Sequence, residues 1–538
     1  MRSFILSTLL YTPFTSAYLS PFSSTPLKTP ALHRRQSPNT TTWPYQTFKT
    51  ETTFLPPILN ITSSHPTTIS PHPLFLAINC ATCAQQAATI FSPSGDLLWQ
   101  SEPSAPSAQP ATNFSPQLLH GKPVLVYNVA VGPPIVASGA LTYSMVLIYD
   151  DSYTLLHNIS VVDPTFRFAE GSAQTTVSDA HEALITPDNT LLVPAYNITP
   201  FDLSAVGGAK EGWLLDCVVY EVSVPEGEVL WTWKASEHVG IEDSFVGLDA
   251  VYGFGNSSQS AWDYFHLNSI QAWGEEGVVV SARNTWDVLG LDKRTGGVEW
   301  RLRGAGQGGD IELEEEGRFS WQHDARLHER DGEVLLSLFD NRNSLEPPFV
   351  PSEGHLLSLD LENKTAKVNA IYVDRNTTIA SQFGGSMQVN FNDGYVIIGH
   401  GSQPVTEEYG LDGTLRASWR FGPADANFGI PGIANYRSYK SEWKGYPTTA
   451  PKVVACKTVN GTDVYVSWNG ATEVEGWAVY VGQEEESMLE SISAEKTGFE
   501  TRISMEEMVA WVKVQAVGDV HDERFTAQSS AAVAVQEC

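Results

Sequence analysis

Three histidines recur in one kind of setting: Ala180-His181-Glu-Ala-Leu-Ile-Thr186, Phe265-His266-Leu-Asn268-Ser-Ile270 and Gln322-His323-Asp-Ala-Arg-Leu327. Each is followed by a turn and an apolar, strand-like run. Arg283, in Ser281-Ala-Arg283-Asn284, ends the run after His266. Asn268 lies two residues beyond His266, which on a regular strand is the same face. Three imidazoles, a guanidinium and an amide brought together make an anion-binding, nucleophilic site. The guanidinium offers a planar fork suited to sulfate or phosphate oxygens. Neutral imidazole is a nucleophile near pH 7 and a carrier of protons. Clustered histidines also suit metals, but no H-x-H or H-x-x-x-H pair occurs, and no metal or other cofactor is expected. A single strand histidine is usually structural; the repetition is what points to function.

These side chains need a scaffold that brings distant segments together. From about residue 50 to 447 the chain reads as short strands and turns with almost no helical periodicity. A turn with glycine followed by a strand ending in tryptophan recurs as Ser94-Gly-Asp-Leu-Leu-Trp99, Glu226-Gly-Glu-Val-Leu-Trp231, Thr295-Gly-Gly-Val-Glu-Trp300 and Asp412-Gly-Thr-Leu-Arg-Ala-Ser-Trp419. Asp360 to Val368 is a degenerate copy. The histidine segments precede these turns. Repeats of this kind indicate an all-β, six-bladed β-propeller over 49–447. Its blades begin near 117, 178, 264, 321 and 386, and the segment 74–100 pairs with the end of the array to close it. Equivalent positions in such a ring meet at the central channel, so His181, His266 and His323 are expected at one mouth of it.

After Thr448 the pattern changes. Runs at 452–455, 464–468, 477–481, 500–503, 509–517 and 531–535 read as strands of a small fibronectin type III-like β-sandwich over 448–538. At the other end, Arg2, the apolar stretch Phe4 to Phe14 and the small residue Ala17 read as a signal peptide over 1–17. A Pro/Ser/Thr-rich linker or pro-segment follows over 18–48, with a dibasic pair at Arg34-Arg35. Secretion agrees with nine N-x-S/T sequons, at Asn39, Asn60, Asn113, Asn158, Asn197, Asn256, Asn363, Asn376 and Asn460. Five cysteines leave at least one thiol unpaired within the chain. Cys456–Cys538 would tie down the C-terminus and Cys80–Cys83 would form a local bridge, leaving Cys217 in a buried apolar strand. A net charge of −30 argues against nucleic acid or anionic membrane partners. No run is long and apolar enough to span a bilayer.

Four segments carry a resemblance: Asp263-Tyr-Phe-His266-Leu-Asn268-Ser-Ile270, Ser281-Ala-Arg283-Asn284, Leu291 to Leu302, and Phe319-Ser-Trp-Gln-His323-Asp-Ala-Arg-Leu327. With Ser337-Leu-Phe-Asp-Asn341 and Tyr436-Arg-Ser-Tyr-Lys-Ser-Glu-Trp443, they resemble the arylsulfotransferase (arylsulfate sulfotransferase) family, most of all its secreted fungal branch. The resemblance implies a six-bladed propeller. It implies transfer of a sulfo group from a phenolic sulfate ester to a phenol, without a nucleotide donor, through a sulfated histidine. It makes His323 the nucleophile, with His266, Arg283 and His181 handling sulfuryl oxygens and protons and Asn268 the amide beside them. The implied partners are small molecules, an aryl sulfate and a phenol. The N-terminal β domain of the bacterial enzymes is missing, and acceptor-binding residues do not carry over. Two other readings stand beside this one: a non-catalytic secreted propeller that binds sulfated or aromatic ligands, and a quinone-cofactor oxidoreductase propeller, whose ligands are not evident.

Overall fold

In the computed structural model, the described residues are 43–63, 65–80, 83–102, 111–135, 141–172, 174–343, 349–423, 433–519, 522 and 524–538. The proposed signal peptide, Arg34-Arg35 and Asn39 lie outside them. The described chain is all β. Its only helical turns are 3-10 pieces of three residues, and no helix is long and apolar enough to cross a membrane.

Between residues 60 and 440 the strands form six sheets. Four arise from consecutive stretches of chain: 111–159, 184–234, 267–303 and 312–372. The fifth joins Ser386–Arg420 strands to the early strand Asn60–Ser63. The sixth pairs Leu74–Cys80 with Ile433–Asn435 and Tyr439–Lys440, so the beginning and end of this region share one sheet. Neighbouring strands are antiparallel almost throughout, which short turns permit. In four of the six sheets one strand carries the recurring tryptophan: Trp99, Trp231, Trp300 and Trp419. Trp300, for example, lies flat against Gly290 of the adjoining strand, where an added Cβ would fall 2.1 Å from the indole nitrogen. That contact explains why glycine stands opposite the tryptophan.

Apolar cores fill the spaces between successive sheets; the largest spans residues of the first three. The leading edges meet at a polar centre. One guanidinium demonstrates the convergence. Arg437 Nη1 donates to Asn113 Oδ1 (3.0 Å) and to Glu182 Oε1 (2.8 Å), and its Nη2 donates to the Asn268 carbonyl (2.7 Å). These partners belong to the first, second and third sheets. Glu182 also holds Nη2 of Arg326, in the fourth sheet, at 2.6 Å, and Asp324 meets the same nitrogen at 2.8 Å. Burial alone would raise the Glu182 carboxyl, but Arg326 and Arg437 outweigh it and hold its pKa at about 2. Removing one member would leave a buried charge unpaired, at a cost of roughly 3–5 kcal/mol. This network excludes one sequence-based expectation. Asn113 is 1% exposed and locked between Arg437 and Glu182, so its sequon has no free amide for a glycan.

Residues 452–534 form two further sheets, of three and four strands, packed over their own core around Trp468 and Trp477. Leu489–Glu495, in the second of these, escapes the sequence pattern because almost all its residues are exposed, leaving no apolar alternation to read. This unit docks on the rest through polar contacts: Asn469 exchanges hydrogen bonds with Gln100, and Arg524 grips Asp151. Part of the expected linker also takes part. Phe48 packs on Phe499 with centroids 4.6 Å apart. Cys456 is bonded to Cys538 and Cys80 to Cys83, while Cys217 is buried and unbridged.

Candidate active site

His181, His266, Arg283 and His323 come together at the polar centre. The rings of His181 and His266 are 5.1 Å apart, edge to face. Tyr436, in the segment between the sixth sheet's strands Ile433–Asn435 and Tyr439–Lys440, meets both His181, at 5.4 Å, and His323, at 6.1 Å. All four predicted residues are buried, yet His181 keeps 9% and His266 7% of their surface exposed.

Local backbone geometry differs from the expectation in one respect. Only His323 lies within a strand, as the first residue of His323–Arg330. His181 and His266 sit just before theirs, Leu184–Ile185 and Leu267–Trp273. His266 has φ +56°, a left-handed conformation that costs a non-glycine residue about 1–3 kcal/mol. The pairing register also slips between Leu267 and Ser269. Strand alternation therefore does not place Asn268 on the face of His266, because the regular pleat has not begun. Asn268 instead donates from Nδ2 to the Gln322 carbonyl at 2.6 Å, tying the third sheet to the fourth, and its Oδ1 has no partner among the described residues. Arg283 follows the strand Gly277–Ala282 directly, and its backbone N–H donates to the His266 carbonyl at 2.9 Å. That bond fixes guanidinium and imidazole to one frame.

The three histidines are held differently. His181 Nδ1 faces Asp179 Oδ1 at 2.5 Å and His266 Nδ1 faces Asp263 Oδ2 at 2.5 Å. His323 Nδ1 faces two neutral oxygens, Asn341 Oδ1 at 2.7 Å and the Trp321 carbonyl at 3.1 Å. Asn341 is itself oriented, since its Nδ2 donates to the Gly384 carbonyl at 2.9 Å. Acceptors on both sides place the proton on His323 Nδ1. The lone pair is left on Nε2, where it accepts the Gly384 N–H at 3.2 Å. The backbone that delivers this N–H needs its glycines: a Cβ on Gly385, at φ +112°, would fall 2.3 Å from the Phe339 ring.

Electrostatics follow from these partners. Burial pushes the His323 imidazole well below its usual pKa, and Arg283 pushes it further, overriding the Asn341 hydrogen bond. Burial also lowers His266, though Asp263 opposes the shift while His181 and Arg283 add to it. Both rings are therefore neutral near pH 7. Arg283 donates to Tyr252 Oη (3.3 Å), to Asn284 Oδ1 (3.2 Å) and to the Gln382 carbonyl (3.1 Å). A fixed cation beside an unprotonated nucleophile suits displacement at an anionic centre. Among the described residues no group of three or more His, Cys, Asp and Glu could hold a metal ion.

Sequence reasoning missed Asp179, Asp263, Gly384 and the roles of Asn341 and Tyr436. Asp179 and Asp263 stand two and three residues before their histidines, so a carboxylate just upstream of each ring was a readable signal. Gly384 is 61 residues from His323, and no local pattern connects them.

Comparison with known proteins sharpens this picture. No curated protein matches the chain. Solved structures align along much of it at low similarity. A protein of unknown function from Bacteroides caccae is 13% identical over 69% of this chain and 99% of its own, with a TM-score of 0.37. The periplasmic gluconolactonase of Pseudomonas aeruginosa is 9% identical over 68% and 99%, with a TM-score of 0.32. The WD40 domain of Toxoplasma gondii coronin is 10% identical over 80% and 86%, with a TM-score of 0.30. The arylsulfotransferase (ASST) family model, by contrast, matches residues 115–422, a span that includes the histidines, Arg283 and Asn341. On that match, over more than half its length, the chain belongs to the arylsulfotransferase family.

Proposed function

We propose that this chain is a secreted aryl sulfotransferase that moves a sulfo group from a phenolic sulfate ester to a phenol through sulfo-His323, with no nucleotide donor. In this reading the six sheets are the blades of a propeller spanning 49–447, with the site in its channel. Residues 448–538 are a fibronectin type III-like sandwich, 1–17 a signal peptide and 18–48 a linker.

The observation that carries the proposal is the state of His323: Nδ1–H on Asn341, a lone pair on Nε2, and Arg283 beside it. In the first half-reaction Nε2 attacks sulfur, the N–S bond forms and the aryl O–S bond breaks. The electron pair leaves on the phenolate. Arg283 stabilises charge on the sulfuryl oxygens. The Gly384 N–H passes from the imidazole lone pair to one of those oxygens. In the second half-reaction the acceptor phenol gives its proton to Nε2 of His266 or His181, attacks sulfur and releases neutral His323. The stored proton goes to the next departing phenolate. Asp263 and Asp179 fix the two bases by their Nδ1 atoms and stabilise the imidazolium each forms. Asn268 braces the third sheet against the fourth behind them.

Purified protein incubated with 4-nitrophenyl sulfate and phenol should release 4-nitrophenol with ping-pong kinetics. Donor alone, quenched at alkaline pH, should leave one extra sulfo group on the peptide containing Phe319 to Arg326. No turnover of any aryl sulfate and an unmodified peptide would overturn the enzymatic reading and favour a binding protein.

A further inference from the structure

An aromatic series leads from the surface to the guanidinium. Phe245, 44% exposed, stacks on Trp286 with centroids 4.0 Å apart and planes 19° from parallel. Trp286 meets Trp321 at 5.4 Å, nearly edge to face. The Arg283 guanidinium carbon lies 4.8 Å from the centre of the Trp321 ring. The series is anchored to the reacting groups. Trp286 stands three residues after Arg283, and the Trp321 carbonyl accepts from His323 Nδ1.

Backbone geometry sets these rings apart from ordinary packing. Trp286 and Trp321 have φ of +53° and +58°, a left-handed conformation that bulky residues rarely adopt. The surroundings impose it. The Gly304 N–H donates to the Trp286 carbonyl at 2.8 Å, and the Phe245 N–H donates to the Asn284 carbonyl at 2.8 Å. Such strain persists where the aim of a side chain matters. Trp286 Nε1 is buried without a hydrogen-bond partner among the described residues, a further cost of holding this ring in place.

We propose that Phe245, Trp286 and Trp321 form the aryl-binding track of this site. The track selects flat substrates of two or more rings, such as fused-ring or polyphenolic sulfates, over single-ring and alkyl sulfates. It rests on the aryl sulfotransferase reading and adds the substrate class. The ring of the ester packs along the track, its sulfate directed at Arg283. Three rings in series outreach a single phenyl group, so contact grows with the length of the ligand.

Calorimetric binding of 2-naphthyl sulfate, methyl sulfate and inorganic sulfate tests the track, beside turnover of 2-naphthyl and phenyl sulfate. The wild-type protein should bind 2-naphthyl sulfate at least about tenfold more tightly than methyl sulfate. Phe245→Ala should weaken naphthyl binding roughly 3- to 10-fold and leave inorganic sulfate unchanged. Trp286→Leu should cost more, and Trp286→Phe should restore part of the loss. Should Trp286→Leu fail to fold, the exposed Phe245 still carries the test. Naphthyl binding unchanged in these variants, or lost in equal measure with inorganic sulfate, would overturn the track. Turnover with no preference for two rings would overturn it while sparing the transferase reading. Ring-selective binding without transfer would spare the track and sink that reading.

Discussion

The second and third sheets hold their histidines with carboxylates; the fourth holds its histidine with an amide. Asp179 and Asp263 face His181 and His266, whereas Asn341 faces His323. A carboxylate stabilises a nearby imidazolium, so those two rings suit proton traffic. An amide accepts the same Nδ1 proton but offers no charge. Buried, and with Arg283 beside it, His323 stays neutral and keeps its lone pair on Nε2. In the proposed mechanism this difference of partner is what separates the nucleophile from the two proton carriers.

The largest test of this division is His323→Ala, which should remove sulfo transfer by more than about 10⁴-fold in stopped assays with 4-nitrophenyl sulfate. Wild-type-like turnover would end the covalent mechanism. Arg283→Ala should lose roughly 10²–10³-fold in kcat/KM, the scale of one preorganised charge-stabilising group. Arg283→Lys should recover only part, since an ammonium lacks the planar fork.

Asn341→Asp exchanges the partner types directly. A carboxylate beside Nδ1 raises the pKa of His323, so protonation would inactivate the nucleophile at higher pH. The acid limb of kcat should move upward. If its midpoint passes pH 7, activity at pH 6 should fall by about tenfold or more. The wild-type enzyme should retain its neutral nucleophile well below pH 6.5. An unmoved limb would mean that Asn341 does not set the charge of His323.

The smallest effect is on stability. His328 lies on the same strand as His323 but bonds Ser337 at 2.8 Å, and burial lowers its pKa to about 4. The unfolded chain binds this proton near pH 6.5 and the folded chain only near 4. Stability is therefore full above about 6.5 and falls as pH drops toward 4, by at most roughly 3 kcal/mol. His328→Gln should show a smaller fall in Tm between pH 7 and 4.5 by calorimetry, with transfer activity retained. An equal fall would place the acid sensitivity at other groups.

The recurring glycine–tryptophan turns and the three histidine segments made the all-β class and the gathering of His181, His266, Arg283 and His323 legible from sequence. They were legible because a repeat carries equivalent positions to equivalent places. The pattern failed where local order does not follow the repeat. Asn113 looked like a glycan acceptor because a sequon says nothing of burial, and Arg437 and Glu182 claim its amide. Leu489–Glu495 went unread because an exposed edge strand needs no alternation.

The sequence by itself determined which groups were available for chemistry: imidazoles that can attack or carry protons, and a guanidinium that can clamp an anion. Only the tertiary structure decided which partners each ring meets, and so the roles proposed for them. That choice depends on an Asn341 side chain 18 residues from His323 and a Gly384 N–H 61 residues away, brought to the same imidazole by neighbouring sheets. Short-range hydrogen bonds and burial set proton affinity, and both act through space, not along the chain.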